Sequence, residues 1–148
     1  MIDKGLHPGL GKAALLVDGT PVTVVQGDGL IISTPSGSTG YNLAVGGAMV
    51  APSVPCILVT PVAPSSLSFR PVIVPETSKI EVAIPYTARM DGRAIFDGSQ
   101  MCALPRGDAI CVKVSPYPLP VINARRYDQD WFKSIIDKLN WNVRIEQQ

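Results

Sequence analysis

Charge is scarce in this sequence. Only 17% of its 148 residues are charged, and 13 basic side chains nearly balance 12 acidic ones, for a formal net charge of +1. That balance gives no electrostatic footprint for nucleic acid or an anionic membrane, so neither is an expected partner. Cysteine is also scarce. Cys56, Cys102 and Cys111 are scattered, odd in number and free of any CxxC pair, which argues against a disulfide framework and against a zinc site. Reduced structural thiols in a cytoplasmic protein are the simpler expectation. The one histidine, His7, lies near the N-terminus and reads as a surface residue. No apolar run approaches the roughly 18 residues of a membrane span. The opening Met1-Ile2-Asp3-Lys4-Gly5 has no signal-peptide core. No repeat, low-complexity tract or linker divides the chain, so residues 1–148 are expected to form one domain.

What is present is apolar and heavily punctuated. Hydrophobic residues make up 46%, with 14 prolines and 13 glycines, a globular composition rich in turns and poor in long helices. Short β-favouring runs recur at Ala14–Val17, Val22–Val25, Leu30–Ile32, Ile57–Thr60, Val72–Val74, Ile80–Ile84, Ala94–Phe96, Ala109–Val114 and Val121–Ile122. Between many of them stand Asp18-Gly19, Asp28-Gly29, Asp91-Gly92, Asp97-Gly98 or Gly107-Asp108, and Asp-Gly is a turn signal because glycine accepts positive φ. The expected fold class is mainly β, a sandwich or pair of sheets.

Two segments break that pattern. Ser38–Val45 reads as a short helix, capped by Ser36 or Ser38 and ended by Gly46-Gly47. Asp130–Leu139 reads as an amphipathic helix with Asp128 as N-cap. Trp131, Ile135 and Leu139 stand four apart with Phe132 and Ile136 beside them, and Lys133, Asp137 and Lys138 take a solvated opposite face. Its aromatic face is expected to pack on the sheets.

The chemically unusual stretch runs from Gly27-Asp28-Gly29 through Leu30-Ile31-Ile32 into Ser33-Thr34-Pro35-Ser36-Gly37-Ser38-Thr39-Gly40-Tyr41-Asn42. A strand opens into a segment dense in hydroxyls and glycine. Small residues let backbone N–H groups approach a ligand. Ser36, Ser38 and Thr39 can donate and accept. Tyr41 offers an aromatic face with a polar tip, suited to a base or ribose. Asp28 can accept from sugar hydroxyls, or serve simply as a turn residue. The stretch is neither a P-loop, since no lysine follows Gly37, nor a G-x-G-x-x-G dinucleotide fingerprint. Elsewhere, Arg70 reads as structural and paired to an acid between sheets, and Asp97 as a hairpin residue.

The run Asp28–Pro55, with TPSGSTGY at its centre and Gly46-Gly47 following, resembles the NAD kinase signature. The resemblance continues through Leu67-Ser68-Phe69-Arg70-Pro71, Phe96-Asp97-Gly98, Tyr117-Pro118-Leu119-Pro120 and Asp130–Arg144. Ile2-Asp3-Lys4-Gly5 is similar to the family's Ile-Asp-Arg-Gly segment. Nearly the whole chain is thus covered in order, with the last two blocks most similar to eukaryotic members. Gly40 stands where alanine is usual, Ala51 where histidine is common, and Ser65 where eukaryotic members often have histidine.

That resemblance implies the C-terminal, NAD-binding β domain of an enzyme that moves the γ-phosphoryl of ATP to the 2′-hydroxyl of the NAD adenosine ribose. It implies NAD contacts at Ser36, Thr39, Gly40 and Tyr41, and at Asp28 partly across a subunit interface. NAD or NADP, ATP and further copies of the chain are the implied partners. Mg2+ or another divalent metal is implied with ATP in the complete enzyme, with no metal held by this chain. The family's GGDG motif, which carries its proposed general base, and its Asn-Glu pair do not occur in these 148 residues. No catalytic residue is therefore assigned, and the chain alone is expected to be inactive. Two alternatives carry different expectations: a non-catalytic structural or regulatory module of the same fold, and a relative of the lipid kinases.

Overall fold

The computed structural model describes residues 1–124 and 129–143. Among these residues ten strands form two antiparallel sheets: β1 Ile2–Asp3, β2 Gly11–Val17, β3 Thr20–Gly27, β4 Gly29–Ser33, β5 Cys56–Val62, β6 Val72–Pro75, β7 Ile80–Ala83, β8 Gly92–Phe96, β9 Gln100–Leu104 and β10 Ala109–Val112. A six-stranded sheet has the order β6-β5-β4-β1-β8-β9, and a four-stranded sheet the order β10-β7-β2-β3. Between β4 and β5 lie a 3-10 turn, Ser36–Thr39, and one helical turn, α1 Tyr41–Ala44. A longer helix, α2, spans Gln129–Leu139. The expected mainly β, two-sheet architecture is what the chain adopts.

The core lies between the sheets. Leu15, Val25, Ile80 and Val82 from one sheet meet Ile2, Leu30, Ile57 and Val59 from the other. Each set alternates along its strand, as a period of two requires. β5 differs, being buried at all seven positions. Ile57 and Val59 face the sandwich, while Cys56 and Leu58 face away and join Val50 in a second small core. An apolar run without alternation is the signature of a strand covered on both faces. Its outer cover is the segment that follows β4.

Asp18 and Gly19 both have positive φ, 51° and 77°, and close a two-residue hairpin between β2 and β3. Asp97 and Gly98, at 47° and 73°, turn β8 into β9, as expected for Asp97. Asp28-Gly29 behaves differently. It is not a hairpin turn: β3 belongs to one sheet and β4 to the other, so Asp28 is the corner where the chain crosses between layers. The flanking glycines are required by close approach. A Cβ on Gly27 would lie 2.9 Å from the Val62 carbonyl oxygen, and one on Gly29 2.5 Å from that of Ile2.

Other expectations need correction. Val121–Ile122 forms no strand and is exposed. β1 and β9 lie outside the β-favouring runs: β1 is only two residues, and β9 owes its pairing to the Asp97-Gly98 hairpin, since Gln100-Met101-Cys102-Ala103 has little β preference of its own. Helix α2 forms, but its apolar stripe is not covered by the sheets. Only Ile135 is buried, Trp131 is half-buried edge-on to Phe132, and Phe132, Ile136 and Leu139 are exposed. Lys133 does lie on a solvated face, paired with Asp137. The proposed cap Asp128 lies outside the described residues. Cys56 is buried, and burial pushes its thiol pKa up, whereas Cys102 and Cys111 are exposed rather than structural. His7 is exposed, as expected.

Candidate functional site

The hydroxyl-rich stretch leaves the end of β4 and returns to the start of β5, lying over the outer face of β5. It is not one helix. Ser36–Thr39 is a 3-10 turn preceded by Pro35, and Gly40 separates it from α1. Neither turn has a side-chain cap, so the expected capping by Ser36 or Ser38 does not occur. Instead Thr34 and Ser36 share a hydroxyl–hydroxyl hydrogen bond of 3.1 Å, and the Gly37 N–H donates to the Thr34 carbonyl at 3.0 Å. The exit is as expected: Gly46, at φ 85°, supplies the left-handed residue that ends α1.

The stretch sorts its side chains into two sets. Ser36, Gly40 and Tyr41 are exposed and Thr39 is half-buried, with Tyr41 at 53% relative exposure. Ser38 and Asn42, four residues apart, turn inward and are fully buried. Ser38 is therefore unavailable to a ligand, contrary to expectation. Its hydroxyl donates to the Val50 carbonyl at 3.1 Å and accepts from the Val50 N–H at 2.9 Å. Asn42 was not singled out in the sequence. Its amide donates to the carbonyls of Ser38 at 2.9 Å and Ala48 at 3.0 Å, and its Oδ1 accepts from the Thr60 hydroxyl of β5 at 2.6 Å. The clue available in the sequence was Thr60, a polar residue in an otherwise apolar strand. Gly40, where the family usually carries alanine, has space for a methyl group, with the nearest atom, the Gly37 carbonyl oxygen, at 3.4 Å.

Asp28 is not beside this surface. It precedes β4 and the hydroxyl stretch follows it, so the two are separated by five strand residues, about 17 Å of extended chain. Asp28 is bound at 2.7 Å by Lys4. The neighbouring Asp3 carboxylate takes a two-pronged contact from Arg93, at 2.7 and 2.8 Å, and the Gly5 N–H at 2.8 Å. The hydrogen bond from Arg93 is the largest cause holding the Asp3 carboxyl below its usual range. The cavity lined by Lys4, Asp28 and Gly92 is only about 20 Å³, room for one water molecule rather than a nucleotide.

A cleft of about 560 Å³ lies between β3 and the segment 65–72. Arg70 lies on its wall, exposed. No acid pairs with it among the described residues, so the expected inter-sheet ion pair is absent. A smaller hollow of about 310 Å³ joins Ser33 and Thr34 to Tyr117 and Leu119, which places the Tyr117–Pro120 block beside the root of the hydroxyl stretch. Among the described residues no group of three or more His, Cys, Asp or Glu could hold a metal ion. No helix among them is long and apolar enough to cross a membrane.

Comparison with known proteins covers nearly the whole chain. The family profile of the ATP-NAD kinase C-terminal domain matches residues 1–124. The chain is 47% identical over all 148 residues to "NAD kinase 2, chloroplastic" of Arabidopsis thaliana, spanning 15% of that protein. It is 43% identical over 147 residues, 99% of its length, to the NAD(+) kinase of Saccharomyces cerevisiae, spanning 27% of it. Among solved structures, yeast NADH kinase complexed with NADH superposes with a TM-score of 0.86 at 31% identity, covering 99% of this chain and 44% of that one. An NAD kinase from Archaeoglobus fulgidus in complex with ATP superposes with a TM-score of 0.79 at 26% identity, covering 90% and 51%. The chain thus spans well under a third of these two sequence relatives and about half of the solved structures. The two-sheet fold is that of solved NAD kinase structures, and the chain belongs to the ATP-NAD kinase family, matching its C-terminal domain.

Proposed function

We propose that residues 1–148 form the NAD-holding domain of an NAD kinase, which makes NADP by moving the γ-phosphoryl of ATP to the 2′-hydroxyl of the NAD adenosine ribose. The observation that carries this reading is the division of the hydroxyl stretch into a buried, fully hydrogen-bonded inner set and an outward set of Ser36, Thr39, Gly40 and Tyr41. Rigid placement of small polar groups around an aromatic face is what recognition of an adenosine or nicotinamide ribose needs. Relatives solved with NADH and with ATP give the ligand class.

In this reading the chain binds and orients. Ser36 and Thr39 offer hydroxyls to the ligand's ribose or amide groups, the absent side chain of Gly40 lets the ligand approach the backbone, and Tyr41 lays its ring against a base. Phosphoryl transfer depends on positioning and charge stabilisation, with a base for the hydroxyl proton. The chain contains no GGDG motif to supply that base. In the complete enzyme a divalent metal would accompany ATP and offset its phosphate charge. Asp28, a strand's length from the loop, serves the site of a neighbouring copy in a homo-oligomer.

Calorimetry with NAD and NADP tests this directly. The folded chain binds at least one of them, Tyr41→Ala weakens binding about tenfold, the loss of roughly 1.4 kcal/mol of contact, and the chain alone forms no NADP from NAD, ATP and Mg2+. A folded chain that binds neither dinucleotide sinks the proposal and leaves a structural module of the same fold.

A further inference from the structure

Three buried polar residues below the loop have no part in the contacts proposed above: Ser38 and Thr60 at 0% relative exposure and Asn42 at 1%. Burying a polar side chain is unfavourable unless it is fully hydrogen-bonded. Here all are. The Asn42 amide uses both donors and its acceptor, and each bond reaches a different part of the chain: the Ser38 carbonyl at the entry of the loop, the Ala48 carbonyl at its exit, and the Thr60 hydroxyl on the sheet. The Gly47 N–H donates to the Asn42 carbonyl at 2.8 Å. Gly47 is packed so tightly on the amide that a Cβ there would lie 2.2 Å from Asn42 Oδ1. Ser38 adds a paired clamp on Val50.

We propose that the Asn42–Thr60 hydrogen bond positions the nucleotide loop, setting the direction of Tyr41 and the depth of Ser36–Gly40, and is thereby an affinity determinant for the pyridine dinucleotide. This rests on the functional reading above. Asn42 follows Tyr41 directly, so holding Asn42 inward fixes the backbone from which the Tyr41 side chain leaves outward. A hydrophobic residue at position 42 would fill space but would not hold the Ser38 and Ala48 carbonyls in register, because apolar contact is not directional. A binding surface made of small side chains and backbone depends on placement to within about half an ångström. Asn42 and Thr60 are positioning residues, acting on the ligand only through the loop.

The test is a series at position 60 in the full chain, with NAD and NADP titrated calorimetrically well below the melting temperature of each variant. Thr60→Val keeps shape but removes the hydroxyl that Asn42 Oδ1 accepts from, and is expected to weaken NAD binding about tenfold, equivalent to one ordinary hydrogen bond. Thr60→Ser restores a hydroxyl and is expected to stay within about twofold of the unaltered chain. Hydrogen exchange of the Gly46, Gly47 and Val50 amides rises in Thr60→Val and returns in Thr60→Ser. A Thr60→Val chain that melts earlier yet binds NAD as tightly as the unaltered chain makes the network merely structural and overturns the inference. If Thr60→Val does not fold, Ser38→Ala, which deletes only the clamp on Val50, is held to the same expectation, and unchanged NAD affinity there overturns it equally. An unaltered chain that binds no dinucleotide removes the functional reading and this inference together, whereas binding that survives both substitutions removes the inference alone.

Discussion

The loop over β5 and the C-terminal residues 113–124 and 129–143 are opposites. The loop is polar in sequence, yet its inner side chains are buried and hydrogen-bonded to the sheet. The C-terminal stretch is the more apolar in appearance, yet Tyr117, Leu119, Ile122, Phe132 and Ile136 are all exposed. Polarity in the sequence therefore does not report attachment. Directional bonds to fixed carbonyls anchor four residues of Tyr41–Ala44 more firmly than an amphipathic stripe anchors eleven residues of α2, because hydrophobic contact stabilises only where a complementary surface covers it. The same contrast appears within one sheet. β5, interior and covered on both faces, is wholly buried, and β9, at the edge, is exposed at four of its five positions.

Substitutions can break or sharpen that comparison. Asn42→Leu strands the Ser38 and Ala48 carbonyls and the Thr60 hydroxyl in a dry site, and should cost about 4 kcal/mol in a urea titration. A loss under about 1 kcal/mol would show that the loop is held by packing instead. Leu58→Ala, in the small core between β5 and the loop, is expected to cost about 3 kcal/mol by the same measurement. Gly47→Ala should cost about 2 kcal/mol, because the new methyl group meets the Asn42 amide and one or the other must shift. At the other end, Phe132→Ser or Ile136→Ser on α2 should change stability by no more than about 0.5 kcal/mol. A thermal melt showing a large loss would mean that the helix has a cover in solution.

The N-terminal segment lies between these extremes, and pH reports on it. The hydrogen bond from Arg93 lowers the folded-state pKa of Asp3 below its ordinary 3.8. A depressed carboxyl stabilises the fold at every pH above its unfolded pKa and loses that contribution as pH falls through the folded value. Stability from this pair is therefore full at neutral pH and drains away below about pH 4, the ordinary carboxylate range. Asp3→Asn should be less stable than the unaltered chain at pH 7, with the difference narrowing under acid in matched denaturation curves. A difference independent of pH would assign the effect to packing.

Several elements were legible from residue pattern alone. The hairpins at Asp18-Gly19 and Asp97-Gly98 follow from local backbone chemistry, as do the strands of alternating or unbroken apolar runs and the end of α1 at Gly46. The helix α2 was legible as a helix but not as an exposed one, since periodicity gives a face and not its partner. Asp28-Gly29 looked like the other Asp-Gly pairs and is instead a corner between sheets, because what constrains Gly27 and Gly29 is the Val62 and Ile2 backbone, remote in sequence. Arg70 is expected to pair with an acid, and none among the described residues does so.

Within the hydroxyl stretch, its order of small polar residues was enough to mark where a ligand surface could form and to carry the family resemblance. Which hydroxyls face a ligand and which face the core could not be read there, since Ser36 and Ser38 are the same chemistry two residues apart. Only the docking of the loop on β5 separates them, because Val50 and Thr60, which supply inward partners, stand 12 and 18 residues from the side chains they bind. Composition and local backbone preference determined most of the strands and the hairpins at Asp18-Gly19 and Asp97-Gly98. Long-range hydrogen bonding decided the site.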